Sequence, residues 1–476
     1  MHATTPYRFL ASAFGLLAFT TATFAQATNP ATAREAAGAT NLGSDANGNP
    51  LRRSTKTGHV SNYDEAKVGS YTLPDPLVLA NGKPVRDADA WFKQRRPEIL
   101  KLYETEIYGR VPANAPKVTW EVTTTDTNAL DGTAVMKRVV GHIGDRPDGP
   151  RMNVTMYTPA KATGPVPIVL CISFGFGGGG PRGNRGAGAG AAGAGAAAAP
   201  GATNGPTPGR GALGARGGGG FGDPIDLIIA RGWGYATVNY GDIQPDRANA
   251  FTNGVIGLTL APGQTAPEPD QWGTISAWAW GISRIVDYFE TDKTVDAKRV
   301  AIQGHSRLGK TVLWAGAQDP RIAVVFSSCS GEMGAALARR DYGETVDDMA
   351  QNFPWQFAGN FQKWVGHWND MPVDSHMVIA LNAPHGLFIN GGTQDQWSDP
   401  KGEFLGAVAA GPVYRLVGKK DLGTADLPAL DTPLISGDLG WVYHTGGHAA
   451  TRADWTAFLD FAEKYFKPQP PGGSKP

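Results

Sequence analysis

The 476-residue chain carries 43 Lys plus Arg against 43 Asp plus Glu, a formal charge of zero, and 41% of its residues are hydrophobic. That length supplies ample material for a sizeable core. The balanced charge gives no electrostatic case for nucleic acid or an anionic membrane as a partner.

Residues 1–25, with Arg8 ahead of an apolar run from Phe9 to Phe24 and small residues around Ala25, read as a signal peptide. The run is too short and too rich in Thr and Ala to span a bilayer, and no later stretch reaches about 18 uninterrupted apolar residues. The expectation is an exported protein, periplasmic or secreted, without membrane association. Residues 26–64 are polar and aperiodic, as in a disordered leader. Residues 65–468 then read as one globular domain, followed by a flexible tail over 469–476.

Within that domain, DADAWFKQRRPEILKLYETEIYG places apolar residues at helical spacing, and VTWEVTTT, GTAVMKRVVGHIG and RMNVTMYTP alternate like half-exposed strands. Short apolar runs follow: VPIVLCISFG, GYATVNYGD, RVAIQGHS, IAVVFSSCS, HGLFINGG and GWVYHTGG. Between them lie helical patterns, among them ISAWAWGISRIVDYFETD, RLGKTVLWAGAQ, GEFLGAVAAGPVYRL and ADWTAFLDFAEKYF. Buried strands alternating with helices predict an α/β fold with a mainly parallel central sheet and helices on both faces.

Residues 177–220 interrupt this pattern with a low-complexity Gly/Ala insertion that has too few apolar side chains to build a core. It reads as a surface loop, or as a flap over a site, since it follows the strand ending VLCISFGFG. No Gly-Lys-Ser/Thr ends it, so a phosphate loop is not indicated. The two cysteines, Cys171 and Cys329, fall beside apolar runs expected to be non-neighbouring strands. Export permits a disulfide, but this placement favours free, buried thiols.

The segment RVAIQGHSRLGKTVLWAGA carries the chemistry. A buried strand ends at Gly304-His305-Ser306 and a helix starts at once, the pattern of a nucleophile elbow that projects the serine hydroxyl at a helix N-terminus. Gly304 supplies the small residue at minus two; Leu308 stands at plus two, with Gly309 one further on. The competing reading of such a serine is a helix N-cap. What favours a nucleophile is the order of its partners, since this fold places the serine first, an acid next and a histidine last. VYHTGGHAATRADW offers His444 and His448 around a Gly-Gly turn after the last strand, and His448, beyond the turn, is the expected base. Asp395, in the loop after HGLFINGG, is the expected acid. Asp399 is an alternative that can instead cap the next helix, and Glu332 is a second alternative. The oxyanion hole would use the Arg307 backbone N–H with a donor from the SFGFG loop. Lys310, one turn beyond Ser306 on the same helix face, can reach a polar substrate.

The run Gly304-His305-Ser306-Arg307-Leu308-Gly309-Lys310 resembles the elbow of the glucuronoyl esterases, carbohydrate esterase family 15. The likeness continues through QWGTISAWAWGISRIVDYFETD, RRDYGETV, DPKGEF and HTGGH and covers nearly all of the globular part. It implies an α/β-hydrolase fold and hydrolysis of the ester joining 4-O-methyl-glucuronic acid branches of glucuronoxylan to lignin alcohols, with no metal or organic cofactor. It further implies Ser306 as nucleophile, His448 as base, Arg307 as oxyanion stabiliser, and Lys310, Glu344 and Trp397 as contacts for the sugar. Cys329 departs from the pattern, because many members carry a glutamate there as triad acid. A thiol cannot hold charge against an imidazolium as a carboxylate does. Other bacterial members carry the acid at the position of Asp395.

Two further functions fit the same residues. One is an esterase acting on acetyl or feruloyl polysaccharide esters, since fold and triad do not set the substrate. The other is a carbohydrate-binding pseudoenzyme, against which the joint presence of Ser306, Arg307, Lys310 and His448 speaks. Nothing in the pattern specifies an oligomeric state.

Overall fold

Apolar side chains on both faces of short strands give a sheet that must be covered twice. In a computed structural model that describes residues 40–175 and 224–467, this is what the strands do. The described residues fall within one compact unit, Gly38–Pro476. The expected signal peptide, the Gly/Ala insertion and the tail lie outside the described residues.

In chain order the described strands are β1 (Thr40–Ser44), β2 (Pro50–Arg53), β3 (Val118–Asn128), β4 (Ala134–Ile143), β5 (Arg151–Pro159), β6 (Val166–Ser173), β7 (Gly234–Asn239), β8 (Val295–His305), β9 (Ile322–Ser328), β10 (Gly386–Gly392) and β11 (Leu439–His444). The helices that matter here are α1 (Ile225–Ala230), α2 (Thr274–Phe289), α3 (Arg307–Gln318), α4 (Val346–Asn352), α5 (Ser375–Leu381), α6 (Pro400–Leu416) and α7 (Arg452–Phe466). Nine strands form one sheet in the order β11-β10-β9-β8-β6-β7-β5-β4-β3. From β11 to β7 the neighbours run parallel. The β7–β5, β5–β4 and β4–β3 pairs are antiparallel. This is the α/β-hydrolase arrangement that the strand patterns and the elbow predict.

Alternation along each parallel strand divides the core. Ile168, Leu170 and Ile172 of β6, with Val325 of β9 and Leu387 and Ile389 of β10, join α2, α3, α5 and α6 on one face. Val169 and Cys171 of β6, with Phe326 of β9 and Phe388 of β10, join α1 and α7 on the other. Fully buried Trp278 and Trp314 anchor the first layer, each such side chain contributing on the order of 3 kcal/mol through the area it removes from water. Cys171 and Cys329 are both buried, on β6 and just after β9, strands separated by β8.

The leader expectation needs correction from residue 40 onward. β1 and β2 pair antiparallel, and the turn that follows is tied to the body: Thr55 Oγ1 donates to Gln351 at 2.7 Å, Thr57 Oγ1 to Asp347 at 2.5 Å, and His59 pairs with Asp341 at 2.8 Å. These contacts are polar and each depends on a partner about 290 residues away, so no local apolar periodicity announces them. Among the described residues no helix is long and apolar enough to cross a membrane.

Candidate active site

β8 and α3 meet at Ser306, whose φ of 59° and ψ of −129° make a sharp turn. Position 304 must be glycine, because a Cβ there would lie 2.1 Å from the Leu308 carbonyl oxygen. The Ser306 N–H donates to the Ser328 carbonyl at 2.8 Å, tying the elbow to β9. The competing N-cap reading fails on geometry: Ser306 makes no side-chain capping hydrogen bond to α3. Its hydroxyl is therefore available for chemistry.

The base arrives on the loop after β11. His448 Nδ1 lies 2.6 Å from Asp395 Oδ2 and 3.4 Å from Ser398 Oγ. With Nδ1 so engaged, Nε2 is the nitrogen left for proton transfer, the division of labour a catalytic histidine requires. Asp395 is 6% exposed at its side chain and follows β10, the expected acid position. The His305 ring, one residue before Ser306, stands 4.3 Å from the His448 ring, so elbow and histidine loop meet. Burial, and then the two neighbouring histidines, hold His305 well below the usual histidine pKa, which keeps the ring beside His448 uncharged.

His444, the other histidine of the turn, has a different task. Its Nδ1 faces Asp454 Oδ2 at 3.0 Å and its Nε2 faces the Gly447 carbonyl at 3.0 Å. Burial alone would lower its pKa; the hydrogen bond and charge of Asp454 outweigh that and raise it. Asn390 completes the clamp, donating to Asp454 at 2.8 Å and to the Ala449 carbonyl at 3.1 Å. The residues on either side of His448 are thus held by buried polar groups.

The other acids resolve by position. Asp399 accepts the Gly402 N–H as N-cap of α6 and pairs with Arg340 at 2.8 Å, the capping role foreseen for it. Glu332 corrects the second alternative. It is buried, with Oε1 lacking a hydrogen-bond partner among the described residues, and burial followed by the charges of Asp374 and Glu344 raises its pKa well above the usual value. Its neutral form is thereby favoured, and among the described residues it is Asp395, not Glu332, that bonds His448. Cys329 does lie beside the triad, its donor atom and those of Asp395 and His448 all within 4.8 Å of one another. Burial and then Asp395 push the thiol pKa well up, which favours its protonated form and leaves Asp395 as the carboxylate bonded to His448.

Around the nucleophile stand the remaining expected residues. Lys310 Nζ and Glu344 Oε1 form a buried pair at 3.2 Å, and Glu344 Oε1 also accepts the Glu332 N–H at 2.9 Å. The Glu344 N–H donates to the Trp397 carbonyl at 2.8 Å, so these two sugar-contact candidates share one anchor. The half-buried Trp397 ring carries the Arg52 guanidinium 5.1 Å from its centroid. Arg307 pairs with buried Asp246 and lies over the rings of Phe353 at 5.3 Å and Phe174 at 5.9 Å. Sequence reasoning missed Asp246, Arg52 and the His444–Asp454 clamp. Asp246 sits in GDIQPDRAN, where no periodicity or spacing marks it. Arg52 lies in the segment set aside as leader.

A strand-to-helix serine, a histidine with one nitrogen engaged by a buried aspartate, and an arginine directly after the serine define a serine carboxylic-ester hydrolase of the α/β-hydrolase fold. A family model described as fungal glucuronyl esterase matches residues 267–418. The chain is 40% identical over 407 residues to carbohydrate esterase MZ0003 from an unknown prokaryotic organism, covering 85% of this chain and 92% of that relative. It is 44% identical to a glucuronoyl esterase from Solibacter usitatus of known structure, with a TM-score of 0.74 over 84% of this chain and 100% of that one. Over 157 residues it is 35% identical to 4-O-methyl-glucuronoyl methylesterase 1 of Phanerochaete chrysosporium, 31% of this chain and 33% of the relative. The chain belongs to the glucuronoyl esterases, carbohydrate esterase family 15.

Proposed function

We propose that this protein hydrolyses the ester between a 4-O-methyl-glucuronic acid branch of glucuronoxylan and a lignin alcohol. The observation that carries the reading is the Lys310–Glu344 pair beside Trp397, set around the elbow. An esterified glucuronate is neutral and rich in hydroxyls. A buried pair of zero net charge offers it donors and an acceptor without demanding a counter-charge, and an aromatic ring offers a platform for the pyranose face.

The reaction runs through an acyl-enzyme. His448 Nε2 takes the Ser306 proton as Oγ bonds to the ester carbon, and Asp395 balances the imidazolium. The oxyanion forms where the Arg307 N–H, at the start of α3, and its guanidinium can face it. His448 then returns the proton to the departing alcohol as the carbon–oxygen bond breaks. Water, deprotonated by His448, cleaves the acyl-enzyme and frees glucuronate and Ser306. No step requires a metal or organic cofactor.

Export to the periplasm or the exterior fits a polymeric substrate, and the pattern of residues 1–25 supports it. A mature N-terminus at Gln26 tests that part; an uncleaved N-terminus contradicts it. For the substrate, purified protein should release alcohol from benzyl or methyl glucuronate faster than it cleaves acetyl or feruloyl esters of sugars. The reverse preference overturns the assignment.

A further inference from the structure

We infer that Asp246 is the positioning residue for Arg307: it fixes the guanidinium in the orientation that stabilises the transition state. The inference rests on Arg307 acting at the oxyanion, as proposed above. Arginine is a long, flexible side chain that ends in five donors in a rigid fork, so holding one edge sets the direction of the rest. Arg307 has 33% of its side chain exposed and borders solvent, whereas the Asp246 side chain that holds it is 2% exposed.

Asp246 is itself immobilised. Its Oδ1 accepts from Trp355 Nε1 at 2.7 Å and from Gln356 Nε2 at 2.8 Å, while its Oδ2 accepts from Arg307. Two residues earlier, Gln244 holds the loop by donating to the Ala250 carbonyl at 2.8 Å and accepting the Ile256 N–H at 3.1 Å. The Phe353 and Phe174 rings flank the guanidinium. The two carboxylate oxygens therefore divide the work, one anchoring Asp246 to the 355–356 segment and the other holding the arginine. A preorganised cation needs no reorientation when charge develops, and this is how such groups lower a barrier. Three donors also disperse the carboxylate charge, which limits its repulsion of an oxyanion.

Asp246→Asn separates the two tasks, since an amide oxygen can keep Trp355 and Gln356 while the NH₂ faces Arg307. We expect kcat to fall about 10–100-fold with KM changed less than about 3-fold, against a fall of about 10²–10³ for Arg307→Ala. In the double variant, Asp246→Asn should add less than about 3-fold to the loss from Arg307→Ala, because it acts through that side chain. Losses that multiply, or an Asp246→Asn kcat within about 2-fold of the parent, overturn the inference. Should Asp246→Asn fail to fold, Arg307→Ala retains the anchored carboxylate, and guanidinium ion well below denaturing concentrations should restore its activity saturably. Absence of rescue counts against the inference. The cycle can be run on whichever ester the parent cleaves, so a wrong glucuronate assignment, seen as a parent inactive on benzyl glucuronate, is distinct from a wrong role for Asp246.

Discussion

Replacing Asp395 by asparagine removes the carboxylate charge that faces His448 when the imidazolium forms. The Nδ1–Oδ2 distance is 2.6 Å, and with both charges delocalised their centres lie about 4 Å apart. At an effective dielectric of about 20 the attraction is about 4 kcal/mol. His448 has 38% of its side chain exposed, and solvent screening brings the figure to about 3 kcal/mol. That corresponds to a kcat loss of about 10²-fold, and the asparagine NH₂, by donating to Nδ1, forces the tautomer whose Nε2 cannot accept a proton, extending the loss toward about 10⁴-fold. KM should change little, since no substrate contact is lost. Steady-state release of benzyl alcohol from benzyl glucuronate measures both constants, with thermal unfolding as a check on folding. Glu332→Gln is the companion variant: it replaces a buried neutral acid by a neutral amide and should retain the parent kcat within about 3-fold. If Asp395→Asn keeps more than a tenth of kcat, or Glu332→Gln falls as far, the assignment of the acid is refuted.

Three further outcomes follow from the same geometry. Cys329→Ala should leave kcat within about 2-fold and lower stability by about 1 kcal/mol by emptying a small buried site; a tenfold loss of kcat would give the thiol a catalytic task. His444→Gln breaks the buried pair with Asp454 and should destabilise by about 3 kcal/mol while lowering kcat through the His448 loop. Because the folded pKa of His444 is raised, the pair's contribution is complete below the unfolded value of about 6.5 and is lost as pH climbs through the folded value. The gap in melting temperature between parent and variant should therefore be widest in mild acid and close toward alkaline pH. Trp397→Ala removes the proposed sugar platform and should raise KM about 5–30-fold at nearly unchanged kcat; a loss confined to kcat would place the ring elsewhere in the reaction.

How much of this was legible depends on where each residue gets its partners. Strands β6 to β11 were legible because parallel strands buried on both faces read as unbroken apolar runs between turn residues. Ser306 was legible because its constraints are local: Gly304 before it, a helix start after it. The choice between His444 and His448 followed from their positions relative to the Gly-Gly turn, and the structure gives each a distinct carboxylate. Partner identity was harder. Glu332 and Asp395 both follow strands, and only the three-dimensional path of their loops brings one to His448 and buries the other as a neutral acid. Asp246 and the β1–β2 segment left no sequence signal, since hydrogen bonds and ion pairs to distant residues impose no period on the chain.

The central claim is that Ser306 is acylated and deacylated through His448. Rapid mixing with benzyl glucuronate, acid quenching and peptide mass analysis test it most directly. A glucuronoyl adduct is expected on the peptide containing Ser306, and neither adduct nor turnover with Ser306→Ala. Undiminished turnover by Ser306→Ala, or an adduct on any other residue, would contradict it.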